Sequence, residues 1–140
     1  MIKNLIYKDN KIIEASYKLS LNEQRIVLLA ISKINSIEKI TENNLFTLSA
    51  KEYSSIYSME CKEAFREMKE ALDLLSKKWI KVIDDGDDNL ERPWLFEKGS
   101  TLSNQSVCFR FHPHTAKLLG ELKGEFTKFD ILPHLKEGDS

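Results

Sequence analysis

Three sets of side chains in this 140-residue sequence have types and spacings that invite chemistry. They are Cys108 with His112 and His114, the run Asp84-Asp85-Gly86-Asp87-Asp88, and two groups of cations, Lys62, Arg66, Lys69 and Lys77, Lys78, Lys81. A protein metal site needs about four ligands at fixed spacing, and the two histidines with one cysteine find no suitable fourth, so no metal is expected. The aspartate run lacks the alternating ligands and distal glutamate of a calcium loop and reads as a solvated turn. There is no Gly-rich phosphate loop, no G-x-S-x-G, and no cysteine or serine with an evident base partner, so neither enzymatic activity nor a cofactor is expected. The remaining carboxylates fall at helix-face spacings, which read as solvation rather than as an acid–base pair. Cys61 and Cys108 are too few for a disulfide framework and lack C-x-x-C spacing; they read as free, buried thiols.

The cations are the remaining candidates. Lys62, Arg66 and Lys69 recur at helical spacing and therefore share one helix face. That face suits DNA phosphates, and it equally suits an ordinary salt-bridged surface, because Glu63, Glu67 and Glu70 interleave with it. Lys77, Lys78 and Lys81 have fewer acidic neighbours and fit phosphate contact better. Cations are also favoured at a helix C-terminus, so this second group has a structural explanation as well. The acidic run argues against its own turn entering a DNA groove.

The elements that would position these side chains can be read from caps and periods. Asn4 to Lys8, and Ile12-Ile13 after Asp9-Asn10, suggest a short extended arm with a turn. Ser20 followed by Glu23 forms a capping box and opens a first helix, whose body from Ile26 to Ile31 is apolar around most of its circumference and so should be central. Residues 35–44 read as a loop and Leu45 to Leu48 as a short strand. Ser49 with Glu52 repeats the capping signal for a short second helix, after which Ser58 can cap a third, about Glu60 to Lys78. Ala64, Phe65, Met68, Ala71, Leu72 and Leu75 give that third helix its apolar face. Trp79 to Ile83, a turn at Asp85-Gly86 and Trp94-Leu95-Phe96 read as a hairpin. Ser106 to Phe111 alternates, with Val107, Phe109 and Phe111 on one face, and Pro113 can start a last helix. Helix-turn-helix followed by a β-hairpin is the order of a winged helix, so the fold class is α+β, in one domain.

Composition agrees with a single folded domain and limits its partners. Twenty-one basic against twenty-two acidic residues give a net charge of −1, so any DNA contact has to be local. The longest apolar run is far short of the ~20 residues of a membrane span, and no signal-peptide core opens the chain, so a cytoplasmic location without membrane contact is expected. The apolar face of Val107, Phe109 and Phe111 would let an edge strand pair with its copy in a homodimer; a mid-sheet strand would instead pack on its own helices.

The stretch from Glu14 to Ile34, with Tyr17-Lys18-Leu19-Ser20-Leu21-Asn22-Glu23-Gln24-Arg25 inside it, resembles the opening of plasmid replication initiators that bind repeated origin sites. The likeness continues through Leu48 to Tyr53, Lys62 to Phe65, Val107 to Pro113 and Leu122 to Phe129, covering nearly the whole chain. It implies a first winged-helix domain over 1–129, with 130–140 as a tail or linker toward a second winged helix. In such proteins the second domain carries most of the sequence reading, while the first mediates dimerisation and adds backbone contacts. The resemblance thus implies origin DNA and a homodimer as partners, with host replication proteins as a further possibility. A dimeric winged-helix repressor, or a module that binds only proteins, are the competing functions.

Overall fold

The computed structural model describes residue 15, residues 18–33, residue 41 and residues 43–128, of which residue 84 and residues 121–128 are described by backbone alone. The expected N-terminal arm, most of the 35–44 loop, residue 129 and the 130–140 tail lie outside the described residues.

The first helix, α1 (Leu21–Ser32), starts where the capping box places it. The Ser20 N–H donates to Glu23 Oε1 at 2.9 Å and the Glu23 N–H donates to Ser20 Oγ at 3.3 Å, satisfying two otherwise orphaned amides. Every residue from Arg25 to Ile31 is buried, so α1 is the central helix its all-round apolarity predicts. Strand β1 (Phe46–Ser49) leads directly into α2 (Ala50–Tyr57). At this second cap only half of the predicted box forms: Ser49 Oγ accepts from the Glu52 N–H, while the Glu52 carboxylate pairs with Lys33 Nζ at 2.8 Å. Ser58 does not cap the next helix. It ends α2 in the left-handed conformation, at φ 56°, and α3 (Cys61–Leu75) begins behind Glu60 without a side-chain cap. Cys61 is exposed there and Cys108 half-buried, so neither thiol occupies the buried position expected, Cys61 because it opens α3 on the water side.

After α3 come β2 (Trp79–Asp85), β3 (Asp88–Pro93), β4 (Leu95–Thr101), β5 (Ser106–Phe111) and the last helix, α4 (Pro113–Lys128). The hairpin partner of β2 is β3, not the Trp94 to Phe96 segment, and its two-residue connection is Gly86-Asp87, with Gly86 at φ 60°. Leu95 and Phe96 belong to β4, which lies in a different sheet of order β1-β5-β4. Trp94 sits at the junction: its N–H donates to Lys78 O at 3.1 Å and its carbonyl accepts from the His112 N–H at 3.0 Å. The strand pair that closes on β1 behind the helix-turn-helix, which is the position of a wing, is therefore β4–β5, and β2–β3 is an additional hairpin.

This topology decides the role of β5. Paired with β1 on one side and β4 on the other, it has no open edge, and Val107, Phe109 and Phe111 are 1%, 0% and 0% exposed. The expected edge-strand pairing through these three residues does not fit, because their apolar face is spent on the core. Phe46, Phe109 and Phe111 form an aromatic cluster with centroids 5.4–5.8 Å apart, each pair adding roughly 0.5–1.5 kcal/mol beyond its burial.

Candidate nucleic-acid interface

The exposed face of α3, which carries the first group of candidate cations, is set by its buried face. Ala64, Phe65, Met68, Ala71, Leu72 and Leu75 are buried, which turns Lys62, Arg66 and Lys69 outward, as the spacing predicts. The three are not locked into a salt-bridged lattice. Arg66 approaches Glu70 at 3.5 Å with both side chains more than 60% exposed, a pair worth roughly 0.3–0.5 kcal/mol. Lys69 Nζ rests 4.5 Å from the Phe65 ring centroid, a cation–π contact that holds it over the N-terminal half of α3. Glu67, one of the three interleaved acids, turns inward instead: it accepts from Tyr53 Oη at 2.8 Å and lies 3.5 Å from the Arg25 guanidinium.

The wing tip completes this surface. Residues 102–105 form the β4–β5 turn, and Leu102 and Gln105 share with Glu60, Lys62, Glu63, Phe65, Arg66 and Lys69 an open groove of about 480 Å³. The tip carries no charge, whereas the four aspartates at 84, 85, 87 and 88 belong to the β2–β3 hairpin, which leaves from the C-terminal end of α3. The objection that an acidic wing would repel phosphate therefore applies to the wrong hairpin. Nothing in the spacing of Leu102 to Gln105 marked them; the available signal was the polar Ser103-Asn104 turn just before the alternating strand.

Lys77, Lys78 and Lys81 are not placed alike: Lys77 and Lys81 are exposed, whereas Lys78 is drawn onto α1. Lys77 Nζ lies 3.3 Å from Asp73, one turn earlier, and Lys98 of β4, which the sequence did not single out, lies 3.6 Å from the same carboxylate. The two cations, Lys77 above all, hold the Asp73 carboxyl below its ordinary pKa. Lys78 turns back onto α1, with Nζ 2.7 Å from the fully buried Glu23 Oε1 and 3.3 Å from Lys18 O. It is a structural ion pair. Lys81 faces Glu91 across the β2–β3 ladder, where unlike charges opposite each other stabilise the hairpin.

A buried polar network behind α3 had no sequence signal beyond the residue types. The Arg25 guanidinium stacks 4.4 Å over the Tyr57 ring while meeting Glu67, so α1, α2 and α3 are tied through one cation. Burial, reinforced by the Glu67 hydrogen bond, pushes the Tyr53 phenol far above its ordinary value, and burial raises Tyr57 in the same direction. The contacts of Arg25, Tyr53, Tyr57 and Glu67 brace the helix-turn-helix from beneath. Of the Cys108, His112 and His114 set, His112 uses Nδ1 to accept from the His114 N–H at 3.2 Å at the start of α4. Burial and then the Arg92 charge lower its pKa, which favours the neutral ring this bond requires.

Known proteins share this fold. The WH1 domain of MSBI1.176, a replication protein isolated from a multiple sclerosis patient, superposes with a TM-score of 0.72 and 29% identity, over 89% of this chain and 96% of that one. The Pi initiator protein, solved in complex with iteron DNA, has the same fold at a TM-score of 0.63 and 18% identity, over 77% of this chain and 46% of its own. An uncharacterized 27.6 kDa protein of Escherichia coli is 22% identical over 137 residues, 90% of this chain, which spans 57% of that relative's length. The family model described as initiator replication protein, WH1, matches residues 5–134, and the chain belongs to that family.

Proposed function

We propose that the chain acts in the initiation of plasmid replication, as a winged-helix domain that pairs with a second copy and makes auxiliary contacts to the DNA backbone at repeated origin sites. The observation that carries the DNA contact is the placement of Lys62, Arg66 and Lys69 on one exposed face of α3, beside an uncharged wing tip and away from the acidic hairpin. Cations on a helix face beside a wing fix a protein's register on phosphates and carry little sequence information. A net charge of −1 limits such binding to a local, weak, salt-sensitive contact, which fits an auxiliary role beside another domain that reads sequence. The Pi protein, a neighbour in fold whose structure holds iteron DNA, supports the same reading.

Self-association needs a surface other than β5. Trp79 and Phe96, 57% and 63% exposed, with Ile83 and Leu90, leave apolar area in water on the β2–β3 hairpin and β4. A second copy is the proposed occupant, and a host replication protein is the competing one. Sedimentation velocity of the chain over a range of concentrations checks this part. A reversible monomer–dimer equilibrium that weakens in the double variant W79S/F96S is expected; a monomer at every concentration would rule out the homodimer.

A further inference from the structure

Leu102 is the most exposed large apolar side chain of the described residues, 77% in water at the tip of the wing. A leucine in that position adds nothing to the core, yet the turn that carries it is held firmly. The Gln105 N–H donates to Leu102 O at 3.2 Å, and Ser106 Oγ donates to Asn104 Oδ1 at 2.7 Å. The Gln105 carbonyl accepts from the Ala50 N–H at 2.8 Å, which fastens the tip to the first residue of α2. Gln105 itself stands at φ 48°, a left-handed conformation that a residue other than glycine keeps only where its surroundings enforce it. A rigid turn thus presents one apolar side chain outward, flanked by the uncharged Ser103 and Asn104.

The surroundings of Leu102 indicate what it meets. It shares its groove with Phe65 and with Lys62, Arg66 and Lys69, against the two carboxylates of Glu60 and Glu63. An apolar side chain on a stiff tip beside phosphate-binding cations is the combination by which proteins unstack a base step: the cations hold the backbone while the wedge enters the minor groove. Building on the DNA contact proposed above, we infer that Leu102 is a minor-groove wedge, inserted at a base step next to the phosphates gripped by α3. Flexible pyrimidine–purine steps open with least resistance, so the wedge would favour them without any hydrogen bond to a base edge.

The test uses the whole chain and duplexes tiled across the DNA adjoining its own coding sequence, with 2-aminopurine placed at successive steps. The wild type should raise the fluorescence at one defined step. L102A and L102S should bind with unchanged salt dependence and lose that rise, while L102M should retain it. Because Leu102 is exposed, all three variants should keep the wild-type thermal unfolding profile. A rise that survives in L102A, or binding by the wild type with no rise at any step, overturns the wedge and leaves the α3 contact standing. Binding by K62A/R66A/K69A as tight as by wild type brings down the DNA contact and the wedge with it. An L102A variant with altered sedimentation and an intact fluorescence response would assign the tip to a protein contact, which also overturns the inference.

Discussion

Glu23 and Lys78 illustrate how far a residue's neighbours in space can depart from its neighbours in sequence. Glu23 was legible as half of a capping box, since the Ser-x-x-Glu pattern is local and its hydrogen bonds close within one turn. Lys78 was legible only as a cation near a helix end, because the partner that claims it lies 55 residues away on α1. K78A leaves a fully buried carboxylate oxygen without its cation and should destabilise the fold by about 1–3 kcal/mol, less than a fully buried pair because Lys78 is partly in water. K77A, at an exposed i,i+4 pair, should leave the denaturation midpoint unchanged. Urea unfolding of the two variants separates them, and equal midpoints would contradict the structural role of Lys78. Lys62, Arg66 and Lys69, by contrast, could be placed from spacing alone, because a helix with one apolar face leaves no choice about where the other residues point.

Elements were legible where one face is buried and obscure where neither is. The apolar stripe of α3 and the alternation of β5 are set by burial, and in both the residues that turn inward are those the pattern marks. Strand β3, Asp88–Pro93, has no such stripe: its first four residues are exposed, so no alternation announces it, and the apolar Trp94 to Phe96 segment is the more visible partner for β2. Strand β5, for which the alternation alone allows either an edge or a mid-sheet place, is central. The turn between α2 and α3 shows a second limit, since a left-handed residue is signalled by glycine or asparagine and this one is Ser58, at φ 56° and ψ 63°. S58G should relieve that conformation and stabilise the domain by about 0.5–1 kcal/mol, seen as a higher midpoint in thermal or urea unfolding. A lower midpoint would mean that the Ser58 side chain contributes more than the backbone strain costs.

At the scale of the whole molecule, charge separation replaces net charge. A sum of −1 conceals an acidic hairpin tip beyond the C-terminal end of α3, away from Lys62, Arg66 and Lys69, which share the exposed face of the helix with Glu60, Glu63 and Glu70 beside an uncharged wing tip. Sequence composition reports only the sum, and the separation appears only once the fold shows which hairpin is the wing. Whether the α3 face grips DNA phosphates is decided by the binding of the chain to origin-repeat duplex, measured against salt concentration for the wild type and K62A/R66A/K69A. Each phosphate contact contributes roughly 0.9 to the slope of log K against log salt, so the triple variant should flatten that slope by about 2–3 and bind more weakly at low salt. An unchanged slope, or a wild-type chain that ignores DNA even at low salt, would mean that the α3 face does not grip phosphates.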